Sequence, residues 1–201
     1  MKKKVSIILN ILIVIIEIFA LIISFKHENR IMFEYYTIDS NLLALIGSLI
    51  YLIIIFNKNK VNEFTRILKY VSVCCLTVTF LVVIFVLLPM LNFNYKFLLL
   101  DDAMSFHHVI CPLLSIVTFI WFDDLGNYKK KDVYYPVCAT ITYAFVLILL
   151  NFAKVVDGPY PFLRIYNQTI LSSLLWFAVI ICMCYLISKI ILTLRINKKS
   201  H

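Results

Sequence analysis

Six apolar stretches, each roughly twenty residues long and separated by short polar or basic connections, constrain this chain more than any other feature. They lie at about 5–25, 37–56, 67–88, 103–122, 133–152 and 169–194. A bilayer core of ~30 Å takes ~20 residues of helix to cross, and hydrocarbon demands that every backbone N–H and C=O be paired within the segment. Strands would instead show ~10-residue segments of alternating polarity, which are absent here. The expected fold is therefore all-α: a polytopic membrane protein with six transmembrane helices in one domain over residues 1–201. Composition agrees, because 63% of the residues are hydrophobic, against the roughly 45–50% usual for soluble domains. No internal repeat is present, so a transporter built from two related halves is not indicated.

Several function classes fall away on the same reading. Three glycines, Gly47, Gly126 and Gly158, leave no glycine-rich phosphate loop or dinucleotide fingerprint. The net charge of +8 sits in short loops and tails rather than in an aromatic-interleaved basic patch, so no nucleic-acid partner is expected. Lys2, Lys3 and Lys4 followed by an apolar run imitate a signal peptide. That run is 21 residues long and ends in Ser-Phe-Lys-His-Glu without a small-residue cleavage pattern, and it reads as a retained first helix. The six cysteines, at 74, 75, 111, 138, 182 and 184, all fall inside expected spans, where buried apolar packing is the default and a disulfide framework is not. No His-x-x-x-His or Cys-x-x-Cys spacing puts two ligands on one face, so neither a metal nor another cofactor is implied. The partners expected are membrane lipids and a lipid or other small apolar ligand, and no residue pattern specifies an oligomer.

Fourteen Lys and Arg residues lie in the N-terminus, the second and fourth connections and the C-terminal region, against five in the first, third and fifth connections: Lys26, Arg30, Lys96, Lys154 and Arg164. The bias predicts a multi-pass cell-membrane protein with both termini in the cytoplasm.

Polar side chains inside the spans then become the informative residues, because hydrocarbon makes them costly. Glu17 lies in the first span and should face the bundle. At 100° per residue, Thr37, Ser40, Asn41, Ala44 and Gly47 or Ser48 form one small, polar face of the second span, while Asp39 points into a different groove. Lys69 lies near the end of the third span and is expected to snorkel. The connection from Met90 to Asp102 is rich in Phe, Tyr and Leu and suits a segment lying at the interface. His107 and His108 follow, within Ser105-Phe-His-His-Val-Ile-Cys-Pro112, whose proline can kink the helix and free a carbonyl. On the predicted orientation, Thr37, Asp39, Asn41, His107, His108, Asp157 and Tyr160 share the outer level, with the histidines ~9 Å below Asp102.

A threonine hydroxyl becomes a nucleophile when a neighbouring base takes its proton, and a buried, neutral imidazole suits that task. Thr37 with His107 or His108 is thus a candidate for acyl transfer on a lipid ester, with Asn41, Asp39 or Tyr160 to orient the base or donate to the oxyanion. Adjacent histidines project 100° apart, so one at most faces a given site. Three blander readings stand beside this one. Thr37 could cap the second span with Asp39 complementing the helix dipole, and Asp157-Gly158-Pro159 could be a turn and nothing more. The polar residues could also serve helix packing in a non-catalytic scaffold. A carrier or binding protein for a small lipid or ion is a further alternative, with Glu17, Asp39 and the histidines lining its path. It is disfavoured because the inner half offers only Asn10 and scattered Thr and Cys.

Tyr36-Thr-Ile-Asp-Ser-Asn-Leu-Leu, His108-Val-Ile-Cys-Pro112 and Pro159-Tyr-Pro-Phe-Leu163 occur in an order that resembles a family of uncharacterised six-span bacterial membrane proteins. The same segments look like the animal androgen-induced membrane proteins, intramembrane threonine hydrolases of fatty-acid esters of hydroxy fatty acids. The resemblance implies Thr37 as nucleophile and a span-four histidine as base. Counted back from Pro112, the animal pattern selects His107 and the bacterial pattern His108, with the residues after Thr37 closer to the bacterial one.

Overall fold

The computed structural model describes residues 1–199, with the side chains of residues 28–30 and 199, among them the Arg30 and Lys199 of the charge count, outside the description. Its regular structure is all helical, with no strand among the described residues. Six helices carry the fold: α1 (Lys2–Glu28), α2 (Tyr36–Phe56), α3 (Glu63–Met90), α4 (Phe106–Phe122), α5 (Tyr134–Phe152) and α6 (Ile170–Lys199). Five are long and apolar enough to cross a membrane, and α4 is the shorter one. At 1.5 Å per residue α4 spans ~25 Å.

The bundle is organised around α3, whose most apolar window is 67% buried, against 28% for α1 and 11% for α6. On α1, Ser6, Asn10, Ile13, Glu17, Ala20 and Ser24 are all buried. Their spacing of four and three residues makes one continuous stripe. Ile8, Ile15, Phe19 and Ile22 on the other face are exposed. Apolar side chains face outward and polar ones inward, as expected when the surroundings are hydrocarbon rather than water.

Helix α3 begins at Asn62, whose side-chain oxygen accepts from the Thr65 N–H at 2.9 Å. That start lies earlier than its apolar run suggests and sets Lys69 nearly two turns inside the helix. Lys69 is 3% exposed, so the expected snorkelling is corrected. Its stem crosses Gly47, where an added Cβ would meet the Lys69 Cδ at 3.4 Å, and its ammonium turns into the bundle. Of the cysteines, Cys74, Cys75, Cys111 and Cys184 are buried, whereas Cys138 and Cys182 are exposed on the outer faces of α5 and α6. Uniform burial is corrected for those two, which an apolar exterior accommodates at no desolvation cost.

Three turns inside the helices are widened, with N–H groups reaching back five residues: Leu88 to Val83, Cys111 to Phe106 and Asp123 to Thr118. The first two immediately precede Pro89 and Pro112, which have no N–H to donate. Between α3 and α4 the chain makes a further wide turn at Lys96–Leu100, which buries Leu98 and leaves Phe97 and Leu100 exposed.

Candidate functional site

The start of α2 places Thr37. Tyr35 is extended, at φ −90° and ψ 125°, and its carbonyl accepts from the N–H groups of Ile38 and Asp39. The helix therefore starts one residue before Thr37, which occupies the first turn rather than the capping position. The capping role for Thr37 is corrected. Its hydroxyl meets His108 Nε2 at 3.4 Å and the Tyr160 hydroxyl at 3.4 Å, and its N–H donates to the same Tyr160 oxygen at 3.4 Å. These are long hydrogen bonds, leaving the hydroxyl loosely held.

His108 is fixed from its other side. Its Nδ1 lies 2.6 Å from the Leu98 carbonyl. A carbonyl can only accept, so Nδ1 carries the proton and Nε2 presents its lone pair to Thr37. The wide turn at Lys96–Leu100 thus acts as a backbone orienter for the imidazole, and Ser105 ties the same segment down by donating to the Leu99 carbonyl.

Asn41 joins the two halves of the site. Its Nδ2 donates to the Thr37 carbonyl at 2.7 Å and to the His107 carbonyl at 3.3 Å. In the widened turn of α4 the Cys111 N–H goes to Phe106, and Pro112 has no N–H to offer, so the His107 carbonyl lacks a helical donor. Asn41 supplies one. A single amide side chain therefore couples the residue carrying the hydroxyl to the turn carrying the imidazole. Ser40 also donates to the Thr37 carbonyl, at 2.9 Å, and contacts Thr79 at 3.0 Å.

Thr37 and Tyr160 open onto a narrow apolar cavity of about 60 Å³, bounded by Val78 and Val82 of α3, Ala144 of α5 and Trp176 of α6. The Tyr160 ring stacks on Phe162 at 5.2 Å, and Phe162 meets Trp176 in a tilted contact at 5.5 Å. The loop between α5 and α6 is pinned at Gly158, where φ is +80° and an added Cβ would lie 3.0 Å from the Leu163 carbonyl oxygen. Burial pushes the Tyr160 phenol up to about 12, against the lowering influence of its Thr37 contacts. At neutral pH it is a hydrogen-bond donor.

The two histidines go different ways. His107 turns toward α1, where Nε2 meets the Ser24 hydroxyl at 2.9 Å and Nδ1 lies 3.7 Å from a Glu17 carboxylate oxygen. Both Glu17 and His107 are fully buried. Glu17 belongs to this second cluster and not to the surroundings of Thr37. Asp39 lines a separate groove with Glu34, Cys75 and Thr142. Asp157 is exposed in the loop whose Tyr160, three residues on, reaches Thr37. Of the residues singled out in the sequence, the structure brings together Thr37, His108, Asn41 and Tyr160, and sets His107 and Glu17, Asp39, and Asp157 apart from them. The Leu98 carbonyl was absent from the sequence reading, since a backbone oxygen leaves no sequence signal.

A third cluster, at the opposite end of the bundle, was not anticipated. Asp123 Oδ1 accepts from Ser6 at 2.6 Å and Asn10 at 2.8 Å, and Asp123 Oδ2 lies 3.3 Å from the Lys69 ammonium. Lys69 donates to Asn10 Oδ1 at 2.7 Å and to Ser48 at 3.2 Å. Tyr51 contacts Ser6 at 3.0 Å, and Arg195 donates to the Phe119, Ile120 and Asp123 carbonyls. The expectation that this half holds only Asn10 and scattered Thr and Cys is corrected. Asp123 marks the end of the α4 apolar run and Lys69 lies within that of α3, but no spacing rule joins them.

No protein-family model, curated protein or solved structure matches this chain.

Proposed function

We propose that the chain is an intramembrane hydrolase of lipid esters, with Thr37 as nucleophile and His108 as base. The observation that carries this reading is the Thr37 hydroxyl facing a His108 nitrogen whose partner nitrogen donates to the Leu98 carbonyl. His108 Nε2 takes the hydroxyl proton as Thr37 Oγ attacks the ester carbonyl. The tetrahedral oxyanion is met by the Tyr160 hydroxyl and the Thr37 N–H, which converge beside Oγ. Collapse breaks the ester C–O bond, and protonated His108 returns its proton to the departing alcohol. Water, deprotonated by the same imidazole, then attacks the acyl-threonine; collapse breaks the C–Oγ bond, the imidazolium returns the proton to Thr37 Oγ, and the fatty acid is released. The apolar lining of the cavity beside Thr37 matches the polarity of an acyl chain where it joins the ester.

In the membrane the proposed arrangement is six spans, with α4 as the short one and both termini cytoplasmic. Thr37 then opens toward the outer leaflet. The similarity of three short segments to the androgen-induced membrane proteins points to the same chemistry. The test is turnover of a long-chain fatty-acid ester by the purified protein. Activity is expected in the parent and absent in Thr37→Ala and His108→Ala, while His107→Ala retains more than either. Undiminished turnover in Thr37→Ala overturns the assignment.

A carrier reading is favoured by one observation, the buried Lys69–Asp123 pair at the inner end, which supplies polar groups at both depths. Substrate-dependent uptake into vesicles by a Thr37→Ala protein that lacks esterase activity would select it.

A further inference from the structure

Beyond the inner network lies a recess of about 760 Å³, formed where the start of α1, the connection between α2 and α3 and the ends of α4 and α6 meet. Its charge is lopsided. Lys2, Lys3, Lys60, Arg195 and Lys198 line it, and the acids lining it are Asp123 and Asp124. Asp123 is already engaged by Ser6, Asn10 and Lys69. Arg195 is fixed, its guanidinium donating to three carbonyls and its Nε buried without a partner. The four lysines come from three separate segments and converge on one concavity, which concentrates their field in a way that a row of solvated charges does not.

The rim shows which kind of anion fits. Trp121 is exposed beside the recess, with the Lys198 ammonium 5.3 Å from its ring centre. An exposed indole paired with a cation at the end of an apolar helix is the side-chain pattern of a membrane–water interface. Ile55, Val61 and Ile120 contribute apolar wall to the same recess. A ligand with a negative head and an apolar body satisfies both surfaces.

We propose that this recess binds the phosphate-bearing headgroup of an anionic lipid, with Lys2, Lys3, Lys60 and Lys198 around the phosphate and Trp121 against the glycerol and upper acyl region. Basic pockets between membrane helices hold anionic headgroups through the same Coulombic attraction. The inference rests on the inner end of the bundle alone and stands whether or not Thr37 is a nucleophile.

The experiment compares retention of phosphatidylglycerol and phosphatidylcholine by the full-length protein in mixed micelles, read by native mass spectrometry. A recess variant carries Lys2→Gln, Lys3→Gln, Lys60→Gln and Lys198→Gln. A control variant removes four charges from basic residues that do not line the recess, Lys4, Lys58, Lys130 and Lys131, each changed to Gln. The parent and the control are expected to retain phosphatidylglycerol at least ~5-fold better than phosphatidylcholine, and the recess variant to lose that preference. Equal retention of the two lipids by the parent, or equal loss of preference in both variants, overturns the proposal. Inorganic phosphate serves as the second probe. If it raises the melting temperature of lipid-stripped parent but not of the recess variant, while phosphatidylglycerol shows no preference, the site takes a free phosphate and the lipid assignment is overturned.

Discussion

The two ends of the bundle spend polar side chains in opposite ways. Around Asp123 and Lys69 most contacts are short, several at 2.6–2.9 Å, and the formal charges are paired. Around Thr37 the carbonyl is held by Ser40 and Asn41 at 2.9 and 2.7 Å, but the hydroxyl has two contacts at 3.4 Å and the N–H a third at 3.4 Å, beside an apolar cavity. Short, charge-assisted bonding holds helices in register, because breaking any one bond leaves a buried group unsatisfied. Long contacts next to empty space leave capacity for a ligand, which is the condition a reaction site has to meet. On the proposed function, the comparison places stability at the Asp123–Lys69 end and chemistry at the Thr37 end.

The largest expected effect breaks the Asp123–Lys69 end. Lys69→Ala strands the buried Asp123 carboxylate and is expected to cost about 3–5 kcal/mol in detergent-denaturation measurements. The paired change Lys69→Met with Asp123→Asn removes both charges and is expected to cost clearly less than the sum of the two single changes. Additive costs would show that the two residues do not act as a pair.

Thr37→Ala is the counterpart at the other end. It is expected to abolish labelling by a fluorophosphonate, a reaction in which an O–P bond forms at the hydroxyl and fluoride leaves. Stability measured by the same denaturation should change by about 1 kcal/mol or less, since only long contacts are lost. A loss of stability comparable with that of Lys69→Ala would erase the distinction between the two ends.

The difference between the ends also explains what could be read from residues alone. The helices are legible because apolar runs of membrane length have few other solutions, and the polar stripe of α2 follows from helical periodicity. Lys69 was misplaced because the apolar run begins after Arg66, whereas the cap at Asn62 starts the helix four residues earlier. The pairing of Lys69 with Asp123 joins residues 54 apart on different helices, and nothing in local pattern encodes it. At the Thr37 end, periodicity indicates that His107 and His108 diverge, but the widened turn before Pro112 and the Leu98 carbonyl decide which way each one points. The face shared by Thr37 and Asn41 is a sequence property. The service Asn41 performs for the His107 carbonyl is a consequence of where α4 packs.

Intermediate effects test that connection. Asn41→Ala removes the donor shared by the Thr37 and His107 carbonyls and is expected to cost about 1–2 kcal/mol and to slow labelling ~10-fold. Asn41→Ala that destabilises without slowing labelling would make the residue a packing element only. The smallest effect is expected from Tyr160→Phe, a reduction of labelling by ~10-fold with little change in stability. The phenol is pushed up to about 12 by burial. It stays protonated, and remains a donor, below that value, and it loses the proton only as pH rises through it. The labelling rate of the parent should therefore show no fall between pH 8 and 10 attributable to this group, and a fall there that vanishes in Tyr160→Phe would contradict the placement of the hydroxyl.

The most direct measurement is the position of the covalent adduct. After treatment with a fluorophosphonate, peptide mapping by mass spectrometry is expected to find the phosphonyl group on Thr37, lost in His108→Ala and retained in His107→Ala. An adduct on another residue, or equal modification of Thr37 in both histidine variants, would contradict a threonine activated by His108.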